Sequence, residues 1–282
     1  VGYISSNFND HPVLKVMDSI FKGHDKTNFE IYAYYLFKHD DDDTKKVKKY
    51  FDSFKNIASL SNKEMIKIIR SDELDIAVDL MGYTKRNKME LFNNRIAPIQ
   101  INYLGFPGTT GLPNMDFLIA DKFVIPKKNM KFYSEKILYM PNSFINSIKY
   151  QYSNLKTKYK KLVLPPKSFL LAAFHRTEKL SQEVIDSWIS ILRQTDNTYL
   201  WLRISNKIAK KNLISFFKSN NVDIKRILFA EKVDLYSEHI SRYAQADLFL
   251  DTFHYNGHTT ILECIWSELP FITFAGESFA SR

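Results

Sequence analysis

Short runs of β-branched and aromatic residues alternate along this sequence with longer stretches of helical period. This alternation is typical of parallel sheets with crossover helices. In the first half we predict strands at 1–5, 29–36, 74–80, 99–104, 117–120 and 136–140. In the second half we predict strands at 168–174, 199–204, 226–230, 248–252 and 271–274. Helices are predicted near 181–194, 206–219, 234–245 and 259–268. The pattern indicates an α/β protein with two doubly wound domains.

The polar segment 146–167 separates the two halves; it is rich in lysine and tyrosine and ends in a Pro-Pro pair, a composition that suits a linker. We therefore expect an N-terminal Rossmann-like domain at 1–145 and a C-terminal one at 168–282. Two such domains would create a cleft between the carboxyl ends of two sheets, where open α/β folds bind ligands. Both ends of the sequence look cut, so we expect the middle of a longer protein.

The charge balance suits an anionic partner. A formal net charge of +9 fits a nucleotide, a nucleic acid or an acidic surface, but the lysines are scattered and leave these alternatives open. The single cysteine, Cys264, excludes an internal disulfide and a cysteine-based zinc cluster, and agrees with a reducing compartment. There is neither a run long enough to span a bilayer nor a signal-peptide pattern, so we expect a cytoplasmic protein.

Two local patterns predict structure rather than chemistry. In "SNKEMIKIIR", Ser61 and Glu64 have capping-box spacing ahead of an apolar stripe, which predicts a helix. The acidic run from Asp40 to Asp43 is predicted to be a solvated loop rather than a metal site, because adjacent like charges repel each other.

The stretch "YNGHTTILECIW", 255–266, is the first candidate for a binding site. The Asn-Gly pair turns the chain after a strand, and Thr259 or Thr260 can cap the following helix. Free N–H groups at such a helix start, with the helix dipole behind them, bind phosphate. An ordinary threonine cap explains the same pattern. We expect the inner face of this helix to be Ile261, Leu262, Ile265 and Leu269.

Three further segments follow predicted strands. In "AFHRTEKLSQEV", Arg176 and Lys179 precede a Ser181-capped helix and lie where a diphosphate would bind, although such cations are also common on surfaces. The loop "YLGFPGTTGLP", 103–113, has three glycines whose backbone amides can approach a ligand closely. His11 follows the first strand, so we expect it at the mouth of the same cleft.

The motifs of kinases, metalloproteases and serine hydrolases do not occur in the sequence. A basic nucleic-acid-binding protein is the alternative of another class; it would explain the charge, but it has no recognition motif to support it.

Taken in order, several segments resemble the catalytic region of the O-linked N-acetylglucosamine transferase and SPINDLY family across nearly all 282 residues. They are "VGYISSNFNDHP", "GYTK" with "ELF", "APIQ" followed by "YLGFPGTTG", "YSEKILYMP", "LDTFHYNGHTT" and "GESFASR". The resemblance implies a GT-B fold with two facing Rossmann-like domains. It also implies an inverting glycosyltransferase that moves a sugar from a nucleotide onto a protein hydroxyl, and that needs no metal or cofactor.

The resemblance also implies roles for individual residues. Lys179 and the "GHTT" turn, Gly257, His258, Thr259 and Thr260, would hold the leaving diphosphate. His239 would pack on the nucleobase and Glu263 would bind the ribose. Arg176 stands where the family has glutamine or asparagine, and Gly105 and Pro107 belong to the matched glycine loop that we expect at the sugar-donor site.

His11 matches a histidine close to the reacting sugar. Three roles stay open for it: general base, positioning of the sugar or acceptor, and a structural role beside Pro12.

The identity of the sugar donor is ambiguous in these motifs. "GHTT" and "FASR" resemble the N-acetylglucosamine enzymes, whereas Glu263 resembles the glutamate of SPINDLY fucosyltransferases. We therefore expect UDP-N-acetylglucosamine as donor, with GDP-fucose as the alternative. The tetratricopeptide repeats that select protein substrates in this family are not part of this sequence, so the acceptor is left open.

Overall fold

Parallel strands build both sheets of the protein. The computed structural model describes residues 1–106, 108–146, 159–233 and 235–282. The chain forms two units, Val1–Lys149 and Tyr150–Arg282. Most of the predicted linker, 147–158, and Pro107 of the predicted sugar-donor site lie outside the described residues.

The sheet of the first unit has seven strands in the order β3-β2-β1-β4-β5-β6-β7, and every neighbouring pair is parallel. The strands are β1 (Gly2–Ser5), β2 (Tyr32–Tyr35), β3 (Ser53–Asn56), β4 (Ile76–Asp79), β5 (Ile99–Asn102), β6 (Phe117–Ala120) and β7 (Lys136–Tyr139). The helices are α1 (Pro12–Lys22), α2 (Asp42–Val47) and α3 (Asn62–Ser71). Strand β3 escaped prediction because it is a polar edge strand with no fully buried residue.

Helix α3 begins as its sequence predicts. Ser61 Oγ accepts the backbone N–H of Glu64, and the Glu64 carboxylate accepts the backbone N–H of Ser61 at 2.8 Å. This capping box satisfies two of the N–H groups that a helix start leaves without intrahelical partners.

The acidic run is a loop only at Asp40 and Asp41, so the prediction was wrong for its second half. Helix α2 starts at Asp42, and Asp41 caps it by accepting the N–H of Thr44 at 2.8 Å. Carboxylates stabilise a helix N-terminus because they face the positive end of its dipole. Lysines within the same segment pair with the remaining acids, which offsets the repulsion among them.

The sheet of the second unit has five parallel strands in the order β10-β9-β8-β11-β12. The strands are β8 (Phe169–Ala173), β9 (Thr198–Leu202), β10 (Ile227–Phe229), β11 (Leu248–Leu250) and β12 (Phe271–Ile272). The helices are α4 (Gln182–Gln194), α5 (Lys207–Ser219), α6 (Tyr236–Ser241) and α7 (Thr259–Trp266). Every strand and helix predicted for this half is present, and the predicted α/β architecture is confirmed.

The last part of the predicted linker packs onto the second unit. Tyr159, Leu162 and Leu164 lie against the apolar cluster that contains Trp201 and Tyr243. The Tyr159 ring is 5.5 Å from the Trp201 ring, and the N–H of Tyr159 donates to Ser241 Oγ at 2.8 Å. This segment therefore covers one face of the sheet.

Candidate functional site

The strand order of the second unit reverses between β8 and β11. Strand β8 pairs with β9 on one side and with β11 on the other, so the connections that leave β8 and β11 start side by side. Ligands of open α/β sheets bind outside the carboxyl ends of the strands at such a switch point. His175 follows β8 and Asp251 follows β11, and their Nε2 and Oδ1 atoms are 3.5 Å apart.

Lys179 reaches from the β8 side to the β11 side. Its Nζ donates to the carbonyl oxygen of Asn256 at 2.8 Å and lies 4.0 Å from the centroid of the Tyr255 ring. Burial, together with a smaller effect of the nearby Arg176, lowers the pKa of Lys179 to about 8, although Asp251 acts in the opposite direction. The structure thus brings Lys179 to the start of the "GHTT" turn, while the Arg176 side chain is exposed.

Neither threonine of the "GHTT" turn caps helix α7, so the predicted threonine cap was wrong. The N-cap is His258, without a side-chain capping bond, and Thr259 and Thr260 are the first two helical residues. The N–H groups of Ile261 and Leu262 bond to the His258 carbonyl, at 3.1 Å each. Among the described residues, neither threonine hydroxyl has a hydrogen-bond partner. Both hydroxyls and the first N–H groups of the helix therefore remain available as hydrogen-bond donors.

Contacts with Asp251 and Ala280 fix the position of the "GHTT" turn. The N–H of Gly257 donates to Asp251 Oδ1 at 2.7 Å, and a Cβ on Gly257 would lie 3.0 Å from Ile261 and 3.2 Å from that oxygen. His258 Nε2 is 3.2 Å from the carbonyl of Ala280, which connects the turn to the "GESFASR" loop. Burial lowers the pKa of His258, which favours the neutral ring.

The predicted apolar face is buried only in part: Leu269 is buried and Ile261 packs against the same apolar cluster, but helix α7 also buries a carboxylate. Ile265 is 56% exposed, whereas Glu263 is only 8% exposed. Three side chains converge on the Glu263 carboxylate: Tyr236 at 2.6 Å, Tyr243 at 2.7 Å and His239 at 3.2 Å. Burial alone would raise the pKa of this carboxyl, but the bonds from these three groups lower it. The structure thus brings together His239 and Glu263, for which the resemblance implies contacts with the nucleobase and the ribose.

Arg242 is a candidate that the sequence did not reveal. It is 1% exposed, and its guanidinium lies 4.7 Å from the Tyr159 ring centroid and 5.6 Å from that of Phe174. Its Nε and Nη1 atoms have no hydrogen-bond partner in the described part of the chain. His239 and Arg242 are spaced i, i+3, which places them on the same side of a helical turn. This spacing was the sequence signal by which Arg242 could have been found.

In the first unit, His11 is the N-cap of α1. Its Nδ1 accepts the backbone N–H of Val13 at 3.2 Å. Since Nδ1 accepts, the neutral ring carries its proton on Nε2.

Gly105 packs directly against the backbone of another loop. A Cβ at this position would lie 2.4 Å from the Leu80 carbonyl oxygen and 2.5 Å from that of Met81. Glycine is required here because two loops cross closely at the carboxyl end of β4.

A buried acid lies beside this crossing. Asp79 accepts the N–H groups of Met81 and Gly82 at 3.0 and 2.6 Å and the side-chain amide of Asn102 at 2.8 Å. Burial raises the pKa of Asp79 to about 6 in spite of these bonds.

The described residues contain no group of three or more metal-ligating side chains placed to hold an ion. In the same part of the chain, no helix is both long and apolar enough to cross a membrane.

The two parallel-sheet units, and the switch point in the sheet of the second, have the architecture of the GT-B fold. The structure matches a mutant of the Thermobaculum terrenum O-GlcNAc transferase with a TM-score of 0.90 and 25% identity, over 100% of this chain and 53% of that one. It matches the lipopolysaccharide galactosyltransferase WaaB with a TM-score of 0.61 at 12% identity, over 96% of this chain and 79% of that one, a likeness of fold alone.

The family model of glycosyl transferase family 41 matches residues 1–160 and 146–282. The chain therefore belongs to that family. It is 34% identical over 289 residues to the probable UDP-N-acetylglucosamine–peptide N-acetylglucosaminyltransferase SEC of Arabidopsis thaliana. It is 27% identical over 290 residues to the SPINDLY protein of Solanum lycopersicum, which carries the same probable activity in its name. The chain spans 30% and 31% of the lengths of these relatives, and 100% and 99% of its own residues are covered.

Proposed function

We propose that the full-length protein transfers N-acetylglucosamine from UDP-N-acetylglucosamine to a serine or threonine hydroxyl of a protein acceptor, with inversion and without a cofactor. The observation that carries this proposal is the convergence of Lys179 and the "GHTT" turn at the switch point of the second unit. The names of the relatives support UDP-N-acetylglucosamine over GDP-fucose. A cytoplasmic location is part of the same proposal.

The chemistry requires stabilisation of the leaving group. The acceptor hydroxyl attacks the anomeric carbon, the bond from that carbon to the phosphate oxygen breaks, and negative charge grows on the diphosphate. The hydroxyl proton passes to a diphosphate oxygen or to a water molecule. In our proposal the Lys179 ammonium and the N–H and hydroxyl groups of His258, Thr259 and Thr260 face this charge. Fixed donors of this kind contribute most in the transition state, because the charge is largest there.

The nucleoside is proposed to occupy the neighbourhood of Glu263. His239 offers a ring face for stacking on the base, and Glu263 offers lone pairs beyond the three bonds that it already accepts. Arg242 supplies the unpartnered donors that a base carbonyl would accept. Arg176, Gly105 and Pro107 stay predicted contacts of the sugar donor.

We expect the base-stacking role of His239 to be visible in two variants. His239→Ala should weaken UDP binding about tenfold or more, since base stacking on an aromatic ring contributes about 1–3 kcal/mol. His239→Phe keeps a ring face but loses the contact with Glu263, so it should retain part of the affinity. Isothermal titration calorimetry with UDP measures both. Equal dissociation constants in the wild type and the two variants would remove His239 from the base site.

For His11 we propose positioning of the sugar or acceptor. The bond to Val13 supports this role over general base, because it leaves a donor and not an acceptor at Nε2. His11→Ala should cost about 1 kcal/mol of stability through the lost cap and should also weaken binding of the sugar donor or the acceptor.

The matched control is Asn206→Ala, which removes the cap of α5 by deleting its bonds to Ile208 and Ala209. A slower single turnover with unchanged binding in His11→Ala would instead identify a base. If both the single-turnover rate and the binding were unchanged in His11→Ala, the only remaining role of His11 would be to cap α1.

The proposed function is tested by incubating the full-length protein with UDP-[³H]N-acetylglucosamine or GDP-[³H]fucose and a mixture of soluble proteins. We expect label in protein from the first sugar donor and none from the second. Label from GDP-fucose alone would assign the fucosyl reaction, and label from neither would contradict the proposal.

A further inference from the structure

We propose that His175 is a positioning residue for the diphosphate. Its uncharged imidazole fixes the Asp251 carboxylate, and this carboxylate in turn sets the conformation of the "GHTT" turn. The inference rests on the proposed function, because it assumes that this turn receives the diphosphate of a nucleotide-sugar.

Asp251 is the common acceptor beneath the turn. Its Oδ1 accepts the N–H of Gly257 at 2.7 Å and its own neighbour's N–H, that of Thr252, at 2.8 Å. Its Oδ2 accepts the hydroxyl of Thr273 at 2.7 Å. One buried carboxylate therefore holds the second residue after β11, the glycine of the turn and the residue that follows β12. If the carboxylate moves, the N–H groups at the start of α7 move with it.

His175 continues the link between β8 and β11 beyond the end of their backbone ladder. The ladder pairs Leu248 with Leu171 and Phe249 with Ala172. Leu250 is the next residue of β11, and its carbonyl accepts a hydrogen bond from His175 Nε2 at 3.1 Å. The same atom lies 3.5 Å from Asp251 Oδ1, where the N–H dipole stabilises the negative charge of the carboxylate. The side chain thus ties together the two strand ends on which the diphosphate site is built.

The surroundings of His175 suit the neutral ring. A carbonyl oxygen can only accept, so the proton is on Nε2 and Nδ1 is bare. Nδ1 is buried and has no partner among the described residues, so an imidazolium would bury a second N–H without an acceptor. Burial lowers the pKa of His175 to about 4, although Asp251 acts in the opposite direction. Packing is close on the turn side: a Cβ on Gly257 would lie 3.4 Å from His175 Cε1.

The test compares His175→Phe with His175→Gln in the full-length protein. Phenylalanine fills the volume without a donor, whereas the glutamine amide can place an N–H where Nε2 lies. UDP and uridine are titrated into each protein, by calorimetry and by NMR respectively. Since a hydrogen bond contributes about 1 kcal/mol and 1.4 kcal/mol is tenfold, we expect His175→Phe to lose about fivefold to tenfold in UDP affinity. Uridine affinity should not change, and His175→Gln should recover UDP affinity to within about threefold.

Thr273→Val keeps the inference testable if His175→Phe does not fold, because it removes a bond from the other oxygen of the same carboxylate. Its matched control is Thr195→Val, which removes a hydroxyl bond to the Ile191 carbonyl at the end of α4. Thr273→Val should lose UDP affinity selectively, and Thr195→Val should not. Equal losses for UDP and uridine, or no loss for UDP, would overturn the role of His175. Failure of the wild type to bind UDP at all would instead overturn the proposed function.

Discussion

Replacing Lys179 with alanine is expected to lower sugar transfer by about two to three orders of magnitude while the fold survives. The lysine is the cation that reaches the "GHTT" turn, where its Nζ is 2.8 Å from the Asn256 carbonyl. Charge grows on the diphosphate as it leaves, so the loss should fall on turnover more than on UDP affinity. The measurement is single-turnover transfer by the full-length protein, with its unfolding temperature recorded alongside.

The matched control for this variant is Lys210→Ala. Lys210 also lies over an aromatic ring, with its Nζ 4.2 Å from the centroid of Phe229, but it is on α5. Its replacement should leave turnover unchanged. Near-normal turnover in Lys179→Ala would refute the assignment of Lys179 to the leaving group.

The low pKa of Lys179 adds a pH dependence. Because its pKa is lowered to about 8, the free protein loses this positive charge as the pH rises through that value. We therefore expect kcat/KM to fall above about pH 8, and the fall to disappear in Lys179→Arg, since a guanidinium stays charged.

Replacing Glu263 with alanine is expected to abolish measurable nucleotide binding and to lower the free energy of unfolding by about 3 kcal/mol. The carboxylate is the shared acceptor of Tyr236, Tyr243 and His239, and its removal leaves their donors facing a buried gap. Urea unfolding measures the stability, and calorimetry with UDP measures the binding. Glu231→Ala, at an exposed position of the same unit, should change neither.

The stability contribution of Glu263 should depend on pH with a defined sign. Its folded pKa lies below the ordinary value of 4.5, so the contribution is complete above 4.5 and is lost as the pH falls below it. The stability difference between the wild type and Glu263→Gln should therefore be constant from pH 7 to pH 5 and shrink in more acidic solution. A difference that instead grew on acidification would show that the carboxyl is protonated in the folded protein.

Buried parallel strands were predictable because they are continuous apolar runs with turn residues at both ends. The predicted bounds of β8 to β12 overlap the observed ones within about two residues at each end. Strand β3 was missed for the opposite reason. It is a polar edge strand, and only its pairing with β2 makes it part of the sheet.

The inner face of α7 shows where periodicity fails. Ile265 has the spacing of a core residue, yet Glu263 is buried in its place. A carboxylate is buried only where donors are waiting for it, and those donors come from Tyr236, Tyr243 and His239, 20 to 27 residues earlier in the chain. Helical spacing carries no information about this convergence.

The candidate site likewise contains residues that the sequence identified and residues that it did not. The family resemblance identified Lys179 and the "GHTT" turn, and the structure places Lys179 Nζ 2.8 Å from the carbonyl oxygen of Asn256, the residue directly before that turn. The family resemblance did not identify His175 and Asp251 as site residues. They are 76 residues apart in the chain and meet only because β8 and β11 are neighbours. Strand order at the switch point would have predicted that meeting, but strand order cannot be read from local patterns.

We propose that the switch point of the second unit binds a uridine diphosphate sugar. Thermal unfolding of the full-length protein in the presence of UDP, and separately of GDP, tests this without an acceptor. At about one hundred times its dissociation constant, UDP should add about 2.7 kcal/mol of stability and raise the unfolding temperature by several degrees. GDP should add little at the same concentration. Stabilisation by GDP alone would contradict the choice of base, and stabilisation by neither nucleotide would contradict the site.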